Sequence, residues 1–101
     1  MYKPLPSYLT IKTSKVNGLG LFALENITIG TNMGMSHMKI KDTIFRTPLG
    51  GFINHSETPN CKRNQIRIKP YYDKWNLVVI EDIEEGDELT LKYRLYDPKK
   101  F

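Results

Sequence analysis

No stretch of this chain repeats apolar residues at the three-to-four spacing of an amphipathic helix for more than a turn or two. That absence narrows the choice of fold more than any other feature. Short apolar runs stand where helices would be. Tyr8–Lys12 and Leu21–Leu24 are brief, and Met33–Ile40 alternates loosely. Gln65–Lys69 alternates through Ile66 and Ile68, Leu77–Ile80 is continuous, and Glu88–Tyr93 alternates through Leu89, Leu91 and Tyr93. Turn chemistry separates the runs at Asn17-Gly18, Gly30, Gly50-Gly51, Pro59-Asn60, Pro70 and Glu85-Gly86. The pattern predicts a compact, mainly β protein with very little helix. Asp42–Arg46, capped by Asp42, is the one segment expected to be helical, and it is too short to be stable alone. No internal repeat or linker is visible, and 101 residues suit one domain spanning 1–101.

Composition then removes several classes of protein. With 40% hydrophobic and 26% charged residues the chain is expected to fold rather than stay disordered. No apolar run approaches the roughly 20 residues of a spanning helix, so no membrane role is expected. The opening MYKPLPSYLT does not read as a secretory signal, and the lone Cys61 forbids an internal disulfide or a cysteine-built zinc site. An intracellular, reducing setting is the expectation. The net charge of +4 is uneven: Glu81 to Glu88 holds six acids and no base, leaving the rest at +10. A basic body can attract nucleic acid. The lack of interleaved arginines and aromatics argues against that partner and for a solvated lysine-rich surface. The acidic run reads as a solvated turn between strands.

Three segments carry chemistry. Asn17-Gly18-Leu19-Gly20 reads either as a hairpin turn or as backbone that approaches a ligand closely, and it lacks the third glycine and the helix of a dinucleotide fingerprint. Gly51 to Cys61 holds Asn54-His55-Ser56 ahead of a Pro59-Asn60 turn. Its polar side chains can stabilise an irregular loop, or Asn54 can offer an amide oxygen to an ammonium group. A Ser56/His55 hydrolase pair is rejected, because neighbours on an extended chain point apart. The third segment, Gly86-Asp87-Glu88-Leu89-Thr90-Leu91-Lys92-Tyr93, is a turn that delivers a strand ending on Tyr93.

In order and content, Gly18-Leu19-Gly20, Asn54 to Asn60 and Gly86 to Tyr93 resemble the SET domain, the fold of most protein-lysine methyltransferases that use S-adenosylmethionine. Glu25 to Gly30 also resembles the family's turn after its second strand, and the likeness spans roughly residues 8 to 97. The family implies short curved sheets and a C-terminal pseudoknot, with Gly86–Tyr93 passing beneath the Asn54–Asn60 loop. It implies cofactor contacts from Asn17, Gly18, Leu19 and Gly20, from Asn54 to the methionine moiety, and from the main chain of His55 to the adenine. It also implies that Tyr93 is the catalytic tyrosine, with Phe45, Tyr93 and Tyr96 as candidates to line the lysine channel. The partner implied is a lysine-containing protein or peptide, methylated by in-line transfer with no metal and no general-base histidine. His37 is expected to be an ordinary surface or strand residue.

Departures from the family pattern carry their own expectations. Glu57 stands where many members place a zinc-binding cysteine, and Gly51 stands where an arginine is common. No zinc-bearing C-terminal module is expected, and the Tyr96–Phe101 tail, or a second protomer in a homodimer, is expected to close the channel. The segment between Gly30 and Gly51 is short, and Met33–Arg46 is expected to replace the usual helical insert or to leave specificity to a partner. The chain is similar in its brevity to miniature viral members of the family. Two competing readings stay open: a SET-fold module that binds a basic peptide without strong catalysis, and a nucleic-acid-binding β-barrel.

Overall fold

Among the described residues the chain forms eight strands, and most of the alternating and continuous apolar runs lie in them because they bury one face against a shared core. The computed structural model describes residues 5–68 and 72–92. Two four-stranded sheets are built from β1 (Leu9–Thr13), β2 (Leu19–Ala23), β3 (Asn32–Ile40), β4 (Thr43–Arg46), β5 (Asn54–His55), β6 (Cys61–Ile68), β7 (Tyr72–Val79) and β8 (Glu88–Leu91). One sheet has the order β1-β2-β8-β5 and the other β4-β3-β7-β6. Leu21, Leu77, Ile83, Leu89 and Leu91 are fully buried between them, beside Leu9, Ile53 and Val79. Burial of side chains this large contributes roughly 1.5–3 kcal/mol each. The mainly β fold is as expected from the sequence.

The segment after β3 differs from the sequence expectation. Asp42–Arg46 is not helical: Lys41 and Asp42 form a two-residue turn and Thr43–Arg46 is strand β4, in register Ile40↔Thr43 to His37↔Arg46. Thr43, Ile44 and Phe45 are β-branched or aromatic and suit a strand, and Asp42 serves the turn rather than a cap. Lys41 takes the left-handed conformation, φ 55°, that such hairpin turns require. The helical turn comes later, as α1 (Pro48–Gly51), where Gly50-Gly51 had suggested a plain turn. Pro48 fixes the first helical φ, while the Thr47 hydroxyl bonds the Met35 carbonyl at 2.7 Å instead of capping. Gly50 is needed because a Cβ there would strike the Ser36 carbonyl and lie 2.8 Å from His37 Cε1. Bulges around Gly34 and Ser36 let two successive residues, Ser36 and His37, both turn inward.

The structure also holds a short repeat, where none is visible in the residue pattern. Glu25-Asn26-Ile27-Thr28-Ile29-Gly30 and Glu81-Asp82-Ile83-Glu84-Glu85-Gly86 form two arches locked together about a local twofold. Ile27 and Ile83 exchange backbone hydrogen bonds at 2.8 and 2.9 Å. Gly30 donates to the Val79 carbonyl and Gly86 to the Ala23 carbonyl, both at 2.8 Å, and both glycines have φ 91°. Asn26 Oδ1 accepts from the Glu85 amide at 2.9 Å, and Asp82 Oδ1 from the Ile29 amide at 2.8 Å. Each of these bonds in one arch has its twin in the other. The first arch feeds β3, and the second feeds β8.

Candidate functional site

Leu89 and Leu91 point into the core, so alternation sends Glu88 and Thr90 to the opposite face of β8. This strand lies between β2, antiparallel in register Leu21↔Leu89 and Phe22↔Glu88, and β5, parallel in register Asn54↔Thr90 and His55↔Leu91. Asn60 clasps it from the loop. Its Nδ2 donates to the Glu88 carbonyl at 2.9 Å and its Oδ1 accepts from the Thr90 amide at 2.8 Å, so a side-chain amide takes the part of a peptide in a ladder. The C-terminal strand is thus held beneath the Asn54–Asn60 loop, the arrangement expected for the pseudoknot. Cys61 belongs to the same clasp. Its buried thiol donates to Asn60 Oδ1 at 3.3 Å, and burial pushes its pKa up to about 12, so it stays protonated.

The threading brings the glycine loop, Asn54 and Glu88 into one cluster. Asn54 is 8% exposed, and its Nδ2 lies 3.1 Å from the Asn17 carbonyl, 3.1 Å from the Leu19 carbonyl and 2.9 Å from Glu88 Oε2. Two amide protons are therefore shared among three oxygens, and Oδ1 is turned away from them. Ser14 Oγ is 2.8 Å from both carboxylate oxygens of Glu88 and accepts the Val16 amide at 2.9 Å, which orders the turn leading to Gly18. Gly18 takes φ 47° there, and Ser14 donates its amide to the Gly18 carbonyl at 2.8 Å. Gly20 packs directly on the carboxylate: a Cβ there would collide with it and approach Asn54 Nδ2 to 3.1 Å. The cluster presents carbonyls, a carboxylate and one outward amide oxygen. That donor-poor, acceptor-rich set suits a cationic ligand rich in N–H groups.

The remaining sequence-predicted residues are placed less centrally. His55 is half-buried on β5, its Nε2 3.8 Å from Glu57, which also meets Lys92 Nζ at 3.5 Å. Glu57, where a zinc ligand is common in the family, thus ties the loop to the end of the threaded strand by charge. Phe45 sits on edge strand β4 of the other sheet, opposite Met38 and 48% exposed, outside the hydrogen-bonded cluster. Tyr93 and Tyr96 lie outside the described residues, as does the tail expected to close the channel. His37 is a strand residue, as expected, and is 1% exposed, with Nδ1 2.9 Å from Ser36 Oγ. Burial, with the charges of Arg63 and Arg46, lowers its pKa to about 4. Sequence reasoning missed Ser14, Glu88 and Asn60. For Glu88 a signal existed, since the inward Leu89 and Leu91 fix its face; inside a run of acids it read as solvent-exposed charge.

Comparison with known proteins agrees with this geometry. The SET domain family model matches residues 35–94, more than half of the chain, and the chain belongs to the SET-domain family. A crystal structure of a Plasmodium falciparum protein, described as a candidate histone methyltransferase, is similar with a TM-score of 0.71. That similarity covers 88% of this chain and 95% of that one at 20% sequence identity, and it speaks for the fold. No curated protein matches the sequence. The architecture is that of the SET-type methyltransferases.

Proposed function

We propose that this chain is an S-adenosylmethionine-dependent protein-lysine N-methyltransferase. The observation that carries the proposal is the convergence of Asn17, Leu19 and Asn54 with Glu88, on the strand that precedes Tyr93 in the sequence. S-adenosylmethionine, when bound, supplies an electrophilic methyl group on a sulfonium centre. The acceptor-rich cluster fits its cationic amino-acid end, which Asn54 Oδ1 and the backbone of Asn17–Gly20 would hold, with the main chain of His55 beside the adenine. A free lysine keeps its proton up to a pKa of about 10.4, so the substrate amine must be desolvated before its lone pair is available. Tyr93, by its match to the family tyrosine, orients that amine in line with the transferred methyl, and positioning with fixed dipoles provides most of the acceleration. Phe45, Tyr93 and Tyr96 are the proposed channel walls, and the partner is a lysine-bearing protein or peptide.

Calorimetric titration with S-adenosylhomocysteine tests the cofactor, and transfer of a labelled methyl to lysate proteins tests the reaction. Tyr93→Phe is expected to keep cofactor binding and to lose turnover by about 100-fold or more, the usual scale for a positioned catalytic group. Asn54→Ala is expected to weaken binding itself, by about 30-fold, the scale of a lost hydrogen bond to a charged group. Wild-type methylation by both variants overturns the assignment. A second reading, a SET-fold module that binds a basic peptide without transfer, is favoured by the exposed carboxylates of Glu81, Glu84 and Glu85 on the second arch. Cofactor binding with no labelled product in any lysate would select it.

A further inference from the structure

The carboxylate of Glu88 stands at the centre of the cluster, although Glu88 is not among the residues expected to touch a ligand. On the strength of the methyltransferase reading above, we propose that Glu88 is a positioning residue that sets Asn54 and the glycine loop for the cofactor. Three observations support this. Asn54 can face its amide either way round, and a carboxylate oxygen 2.9 Å from Nδ2 selects one orientation, because an amide oxygen placed there would meet a negative charge. The carbonyls of Asn17 and Leu19 reinforce the choice and are themselves fixed by it, at 3.1 Å each. Through its other contacts the same carboxylate holds Ser14 Oγ, which in turn accepts the Val16 amide and shapes the turn before Gly18.

One side chain on the last described strand therefore ties three segments distant in sequence: the β1–β2 turn, β5 and β8. Gly20 is the counterpart of this arrangement, since a side chain there would displace the carboxylate. Glu88 acts on the ligand chiefly through Asn54, with Ser14 holding the carboxylate in place, so its removal should cost little extra once Asn54 is gone. A purely structural carboxylate would give independent losses.

The test is a double-mutant cycle read by calorimetric titration with S-adenosylhomocysteine on the full chain. Glu88→Ala is expected to weaken binding about tenfold, whereas in the Asn54→Ala background the same change should alter affinity less than about twofold. Glu88→Gln is expected to stay within about threefold of wild type, because its carbonyl can accept from Asn54 Nδ2 while its amide donates to Ser14 Oγ. Glu88→Asp, which keeps the charge but cannot reach both partners, is expected to lose about fivefold, and it carries the test where the alanine variant does not fold. Additive losses in the cycle, or wild-type affinity in Glu88→Asp, overturn the proposal and leave the cofactor reading intact. Absence of heat with the wild-type chain overturns both.

Discussion

The two arches are the same piece of backbone used twice. Ile27 and Ile83 face each other, Gly30 and Gly86 share φ 91°, and Asn26 and Asp82 each accept an amide from the opposite arch. What leaves them differs. Asn32, two residues past Gly30, turns back on its own strand and accepts the Gly34 amide at 2.9 Å, which supports a bulge. Glu88, two residues past Gly86, reaches out to Ser14 and Asn54 and organises the candidate site. One arch delivers a strand that bonds within itself and the other the strand of the candidate site, so the candidate site depends on what the repeated frame aims rather than on the frame.

Four experiments break or sharpen that comparison. The largest effect is expected from Ile27→Ala and Ile83→Ala, each costing about 3 kcal/mol of unfolding free energy in urea, as buried isoleucine truncations do. A difference much above about 1 kcal/mol between them would show that the arches are not equivalent. Next comes acid, which separates the strands that leave the arches. His37 on β3 is neutral and buried when folded, with a pKa of about 4 against 6.5 for the free side chain. As pH falls below 6.5 the unfolded chain takes up a proton that the folded chain refuses, so stability is lost down to about pH 4. The loss over that window is about 3 kcal/mol. Urea titrations at pH 7 and 4.5 should show a steeper loss for wild type than for His37→Asn, and parallel losses would refute the assignment.

Gly30→Ala and Gly86→Ala come third, at about 1–2 kcal/mol each. No atom lies within 4 Å of either added Cβ, so the cost is backbone strain alone and should be equal at the two sites. Thermal melts would expose any inequality. The smallest effect is expected from Asn32→Ala, a few tenths of a kcal/mol up to about 1 from one exposed side-chain hydrogen bond. It should leave S-adenosylhomocysteine affinity unchanged. Loss of affinity there would contradict the division between a structural and a functional arch.

Much of the fold was legible in the chain because burying one face of a strand imposes a period of two. Met33–Ile40 and Glu88–Tyr93 mark β3 and β8 almost to their ends, and Leu77–Ile80 marks the buried half of β7. The polar halves of β6 and β7 were not legible, since Cys61–Asn64 is a strand through its pairing with Asn76–Val79, and Asp73–Asn76 through its pairing with Asn64–Arg67, rather than through their own pattern. Asp42–Arg46 misled because an aspartate before an apolar pair reads equally as a helix cap or a hairpin turn. The twin arches escaped notice because only the glutamate, isoleucine and glycine recur, while Thr28 and Ile29 face Glu84 and Glu85 in the other copy. At the site, Asn17–Gly20 and Asn54 were legible as motifs, and Glu88 was masked by its acidic neighbours.

By itself the sequence determined many of the residues that go inside and most of the places where the chain turns, because hydropathy and turn preference are local properties. Only the tertiary structure decided that Glu88, Asn54 and Ser14 share one hydrogen-bond network. That proximity depends on β8 lying between β2 and β5, a relation among segments far apart along the chain that no local preference encodes.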